Sequence, residues 1–192
     1  MIILRKNMLH LVKPNDLAMI KPPELYDFSA DGESAEQVAN VLFDKMTELG
    51  GIGLSANQLG LDMAVFVMGT NYGRMDVFNP EIIEYGAEQI SFKEGCLSYP
   101  GIFMDVKRPK QVKVRYQTWA GELVLQDLDG LTARVFQHEF DHMQGLDFTH
   151  HVSKLKFDMA NKRFRNKKNK IIRKHAIGTM VNALKEKQNE LV

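Results

Sequence analysis

Residues 132–145 read TARVFQHEFDHMQG, and this stretch decides the fold. The pattern is helical from Thr132 to about Gln144, and Gly145 ends it. Inside it stands Gln137-His138-Glu139-Phe140-Asp141-His142, an H-E-x-x-H pair. Residues four apart on a helix lie one turn apart on one face. His138 and His142 can therefore grip one cation together. Glu139 can reach a water on that cation without ligating it. The plainer alternative is two histidines that only pack or face solvent.

A catalytic cation needs a third protein ligand and one open position. The extended form of the motif would place a third histidine at 148, where the chain has Phe148. A downstream carboxylate is also poorly supplied, since Asp158 is the only acid between Asp147 and Glu186. Cys96, His150 and His151 remain as candidates. Cys96 lies in Glu94-Gly95-Cys96-Leu97-Ser98. Its thiolate would bring a negative charge that imidazole cannot. Gly95 permits close backbone approach, and the Leu97 N–H is a candidate donor to an oxygen at the open position. By itself, a lone cysteine more often fills a core. Residues 51–58, GIGLSANQ, add two glycines, two small residues and the Gln58 amide. This stretch also reads as a tight turn between helix and strand.

Outward from these segments, Ser34-Ala35-Glu36-Gln37 forms a capping box ahead of Val38, Val41, Leu42, Met46 and Leu49. The spacing predicts a helix from about 34 to 49, stopped by Gly50-Gly51. Met63 to Met68 reads as a strand, and Val77-Phe78 as one ending at Asn79-Pro80. Val112, Val114 and Tyr116 alternate with Lys113 and Arg115. The turn Ala120-Gly121 then leads into Glu122 to Gln126, predicting a hairpin that Asp129-Gly130 breaks. A last helix is predicted from Thr179 to about Glu190. Pro14, Pro22 and Pro23 punctuate an irregular N-terminal arm. Helix, strands, helix, helix argues an α+β fold.

The 192 residues are one domain's worth, 44% hydrophobic and 26% charged. A single domain over 1–192 is expected, with a basic extension from about 155. The longest apolar run, Met63 to Met68, is too short to span a bilayer. No secretory pattern opens the chain, so a cytoplasmic location is expected. One cysteine excludes an intrachain disulfide and a four-cysteine zinc module. The net charge of +1 hides an asymmetry. Residues 1–150 hold 13 basic and 21 acidic side chains, whereas 151–192 hold 12 and 3. Within 161–174, NKRFRNKKNKIIRK, eight positions are basic and none acidic. Such a run is either a solvated helix face or a contact for a polyanion. Phe164 is its one aromatic, so sequence-specific reading of nucleic acid is not expected.

GIGLSANQ, EGCLS and QHEFDH, in this order, resemble the three signature motifs of the peptide deformylases. These enzymes remove the formyl group from the N-terminal methionine of nascent chains. The resemblance covers about residues 36–155. It implies mixed or antiparallel sheets around a central helix carrying the histidine pair, with further helices N- and C-terminal to it. It implies Cys96, His138 and His142 as metal ligands, Glu139 as general base and acid, and Gln58 with the Leu97 amide as holders of the formyl oxygen. Ile52 and Gly53 match the backbone that pairs with the substrate, and Gly95 belongs to the same binding surface. Phe92, Leu131, Arg134 and Val135 match the walls of a methionine pocket. Two departures stand out: Ser55 replaces the usual alanine, with no loss of function expected, and Phe103 replaces an arginine at the pocket mouth.

One divalent ion per chain is expected. A thiolate and two imidazoles suit zinc, ferrous iron, nickel or cobalt; the resemblance favours ferrous iron. The expected partner is a formyl-Met nascent peptide, with a possible ribosome contact through 161–174 and none with membranes. Two rivals are a zinc peptidase using His150 or His151, and a basic RNA-binding module with a structural metal.

Overall fold

The computed structural model describes residues 9–29, 34–70 and 73–189, with side chains as far as 172. The chain divides into two compact units, Met1–Val152 and Ser153–Val192.

In the first unit a short helix, α1 (Leu17–Ile20), interrupts the proline-punctuated arm, its end capped by the Asp16 side chain. Helix α2 (Ala35–Glu48) follows Ser34, whose hydroxyl accepts from the Gln37 N–H at 3.2 Å. Gln37 Oε1 accepts from the Ser34 N–H at 3.1 Å, completing the capping box. Gly50, at φ +69°, ends the helix in the left-handed conformation, and the Gly51 N–H donates to Met46 O at 2.9 Å.

Strands β1 (Gly53–Ser55), β2 (Val65–Thr70), β3 (Gly73–Tyr85), β6 (Gln111–Gln117) and β7 (Leu123–Asp129) form an antiparallel sheet in the order β1-β2-β3-β6-β7. β4 (Gln89–Gly95) and β5 (Phe103–Pro109) form a second, two-stranded sheet. Helix α3 (Gly130–Met143) leaves the end of β7 directly.

Strand β2 explains the layering. Val65 and Val67 pack with Val38, Leu42 and Met46 of α2 on one face. Phe66 and Met68 pack with Ala133, Phe136 and Met143 of α3 on the other. Successive side chains alternate across a sheet, so a strand sandwiched between helices is apolar throughout. The Phe66 and Phe136 rings meet edge to face at 5.1 Å. This packing holds α3 in the centre of the unit, with nearly all its side chains buried.

Three expectations change. β3 does not end at Asn79-Pro80 but continues to Tyr85. A register shift between Phe78 and Glu81 accommodates Pro80, which has no N–H to give. Asn79 adopts φ +49°, and its side chain bridges Tyr26 and Gln117. β4 and β5 were not predicted, because most positions of β4 are polar or exposed. The C-terminal helix, α4 (Lys154–Asn189), starts well before Thr179 and includes the basic run. No proline interrupts 154–189, and Lys154 pairs with Asp158 at 3.2 Å along the helix. From 162 to 172 its side chains are exposed except Phe164. Glu190 lies outside the described residues. Among those described, no helix is long and apolar enough to cross a membrane.

Candidate metal centre and active site

A cleft of about 350 Å³ opens between β1, β4, β5 and α3. Cys96, just beyond β4, meets His138 and His142 of α3 there. Their ligand atoms all lie within 4.8 Å of one another, the metal-suited group found among the described residues. Cys96 Sγ stands 3.5 Å from His142 Nε2. His142 is fully buried, and His138 and Cys96 nearly so.

Both imidazoles are oriented from behind. His138 Nδ1 lies 3.0 Å from Glu94 Oε2, and His142 Nδ1 lies 3.1 Å from Leu146 O. Each Nδ1 thus has an acceptor, leaving Nε2 as the free ligand atom. Glu94 is clamped in turn: Arg108 binds it at 2.7 and 3.0 Å, and Arg134 at 2.8 Å. Arg108 also pairs with Asp141 at 2.7 Å. Two carboxylates therefore face two guanidiniums, which offsets the cost of burying these charges.

Burial would push the Cys96 thiol up, but bonds and charges from His138 and His142 outweigh it and bring it to about 6. Near neutral pH it is a thiolate, the form that binds metal. Burial would lower both histidines, yet the thiolate raises them, and Glu94 raises His138 further. A cation replaces these protons when it binds. Glu94 would also be raised by burial, but His138 and Arg108 hold it well below the usual carboxylate range. A soft thiolate and two imidazoles with free Nε2 atoms fit a divalent transition metal, and three donors leave a position open.

The predicted residues converge here. Ile52, Gly53, Gln58, Phe92, Gly95 and Leu97 line the cleft, as do Leu131, Arg134, Val135, His138 and Glu139. Gln58 Oε1 accepts from the Ser55 N–H at 3.0 Å, which turns Nε2 toward Cys96 Sγ at 3.3 Å and Ser98 Oγ at 3.0 Å. A Cβ at Gly53 would overlap Glu139 Oε1, and one at Gly95 would come within 2.6 Å of the Phe103 ring. Both positions need glycine for close approach. Arg134 lines the cleft, but its guanidinium turns to Glu94 and to the carbonyls of Val106 and Ile90.

His150 and His151 go elsewhere. His150 lies 3.4 Å from Asp147, and His151 lies 2.8 Å from Asp141. The supporting roles of Glu94, Arg108 and Asp141 were missed from sequence. Glu94 stands two residues before Cys96, the one available signal. Arg108 comes from an unpredicted strand.

A sequence profile of the polypeptide deformylase family matches residues 8–158. The peptide deformylase of Thermotoga maritima is 41% identical over 124 residues, covering 65% of this chain and 76% of that protein. That of Wolbachia pipientis wMel is 33% identical over 166 residues, covering 80% and 91%. The Thermotoga maritima crystal structure superposes with a TM-score of 0.72 at 36% identity, over 76% of this chain and 98% of that one. A Synechococcus elongatus peptide deformylase in complex with actinonin gives 0.76 at 30% identity, over 84% and 87%. The chain belongs to the polypeptide deformylase family and is a metal-dependent hydrolase that removes the N-formyl group from nascent polypeptides.

Proposed function

We propose that Cys96, His138 and His142 hold one divalent cation and that Glu139 is the proton carrier of deformylation. The observation that carries this reading is the convergence of three ligand atoms with both histidine Nδ1 atoms already engaged. When bound, the cation supplies Lewis acidity at the open position, polarising a carbonyl and acidifying water. Ile52 and Gly53 offer backbone on one side of the cleft, where the formylated peptide adds as a strand. Phe92, Leu131 and Val135, with the stem of Arg134, receive the methionine side chain. Gln58 Nε2 and the Leu97 N–H hold the formyl oxygen as charge develops on it, each contributing about 3 kcal/mol. Glu139 takes a proton from the attacking water and returns it to the departing amine nitrogen. Formate and a free methionine amine leave.

Glu139→Ala tests this reading. Formate release from formyl-Met-Ala-Ser is expected to vanish while metal stays bound. Full activity in the variant would remove Glu139 from its role. Internal cleavage of peptides without formate release would favour a peptidase instead.

The native ion in this reading is ferrous iron. Zinc, nickel and cobalt suit the same donors, so elemental composition after purification without oxygen decides between them. Metal-replete protein carrying zinc alone would refute iron.

The first unit carries the chemistry, with 153–192 as a basic extension, and the location is cytoplasmic. The basic run 161–174, whose side chains are exposed from 162 to 172 apart from Phe164, supports a contact with ribosomal polyanion. Reversing the charges of Lys167, Lys168 and Lys170 is expected to weaken ribosome association, and added salt to do the same. Unchanged association would end this part of the reading.

A further inference from the structure

Three consecutive residues, Leu146, Asp147 and Phe148, contact His142, Tyr99 and His138 in turn. The Leu146 carbonyl faces His142 Nδ1 at 3.1 Å. The fully buried Phe148 ring stacks on His138, with centroids 6.0 Å apart and planes at 28°. It also meets the Tyr99 ring edge to face at 5.4 Å. Asp147 Oδ2 accepts from the Tyr99 hydroxyl at 2.7 Å. The Tyr99 backbone N–H donates to Cys96 O at 2.9 Å.

We propose that Asp147, acting through Tyr99, is a positioning residue that fixes the Cys96 loop against the two histidines. This rests on the ligand set proposed above. The physical need is plain. His138 and His142 ride on one helix, so their spacing is built in. Cys96 follows β4, in a separate sheet, and its placement must come from contacts outside α3. The Tyr99–Asp147 bond ties that loop to the segment that already orients both imidazoles. Asp147 is itself held, since its Oδ1 accepts from the Thr149 N–H at 2.8 Å. Burial, and then the bond to Asp147, push the Tyr99 hydroxyl up, so it stays a donor. Partners behind a metal ligand typically change metal affinity by about 10–100-fold when removed.

The test uses the full chain loaded with cobalt. Tyr99→Phe removes one oxygen and leaves the ring on Phe148. Cobalt is expected to pass to excess chelator about tenfold faster than from the parent protein. The thiolate-to-cobalt absorption band shifts, and kcat for formyl-Met-Ala-Ser falls with KM unchanged. Asp147→Ala reproduces these changes, and the double variant is no worse than Asp147→Ala alone. Asp147→Asn, whose side-chain amide can still meet the Tyr99 hydroxyl although it cannot accept at both positions, retains more cobalt than Asp147→Ala. If Tyr99→Phe melts earlier yet keeps the parent's dissociation rate and band, the bond serves only the turn and the proposal falls. Additive losses in the double variant overturn it too. Should Asp147→Ala fail to fold, Tyr99→Phe and Asp147→Asn still decide. A parent protein without the thiolate band, or Cys96→Ala with it, would instead strike the ligand set itself.

Discussion

The Ser55 hydroxyl donates to Glu139 Oε2, joining strand β1 to the helix that carries the histidine pair. The same residue's N–H holds Gln58 Oε1. One fully buried side chain and its backbone thus orient both the proposed proton carrier and the proposed formyl-oxygen donor. The serine that looked like a neutral replacement for alanine has a specific contact. A buried hydrogen bond of this kind contributes about 0.5–1.5 kcal/mol net. We expect Ser55→Ala to lower kcat by about fivefold, with KM and metal content unchanged, in a formate-release assay.

Gly53 makes a sharper prediction. A methyl group there would overlap the buried Glu139 carboxylate, which is side chain rather than backbone, and would push it off its bond to Ser55. Folding should survive, but the proposed proton carrier is displaced by the order of an ångström. Misplacement on that scale costs about a hundredfold in rate. Gly53→Ala should therefore melt close to the parent, keep its metal, and lose about a hundredfold in kcat.

The buried charges around Glu94 predict a stability effect. Arg108 and Glu94 side chains are 4% and 5% exposed. Removing one member leaves an uncompensated charge, at a cost of about 3–5 kcal/mol. Arg108→Met is expected to lose that much in urea unfolding. Arg108→Met combined with Glu94→Gln should lose less than the sum of the two single changes.

Acid should weaken the fold through Asp141 and Asp147. Burial would raise both, yet both lie below their ordinary 3.8. His151 and Arg108 outweigh burial at Asp141, and Thr149 and Tyr99 do so at Asp147. A depressed carboxylate stabilises the fold fully above its unfolded value and loses that contribution as pH falls through the folded one. Urea midpoints should hold steady down to about pH 5 and then decline below about pH 4. Asp147→Asn should flatten part of that decline.

Local signals made α2, β2, the β6–β7 hairpin and α3 legible, because each rests on short-range chemistry. Ser34 and Gln37 cap α2, apolar periodicity marks its buried face, and Gly130 and Gly145 bracket α3. The H-E-x-x-H spacing carries its own geometry, so the histidine pair was readable from residues alone. Cys96 was one of three candidates until the three motifs were taken together. What stayed hidden was non-local. Arg108 meets Glu94 only because β5 pairs with β4; β5 does alternate, with Met104, Val106 and Arg108 as its buried positions, but the mostly exposed β4 gives no sign of a partner strand. Asn79 and Pro80 looked like a strand end, whereas tertiary bonds to Tyr26 and Gln117 carry the strand through.

Metal stoichiometry across a small set of variants tests the central claim most directly. Protein prepared without oxygen, and measured by elemental composition, should carry one divalent ion per chain. Cys96→Ala should lose it, while Glu139→Ala, His150→Ala and His151→Ala keep it. A Cys96→Ala protein that retains a full equivalent, or a parent chain that takes up none when metal is plentiful, would contradict the account.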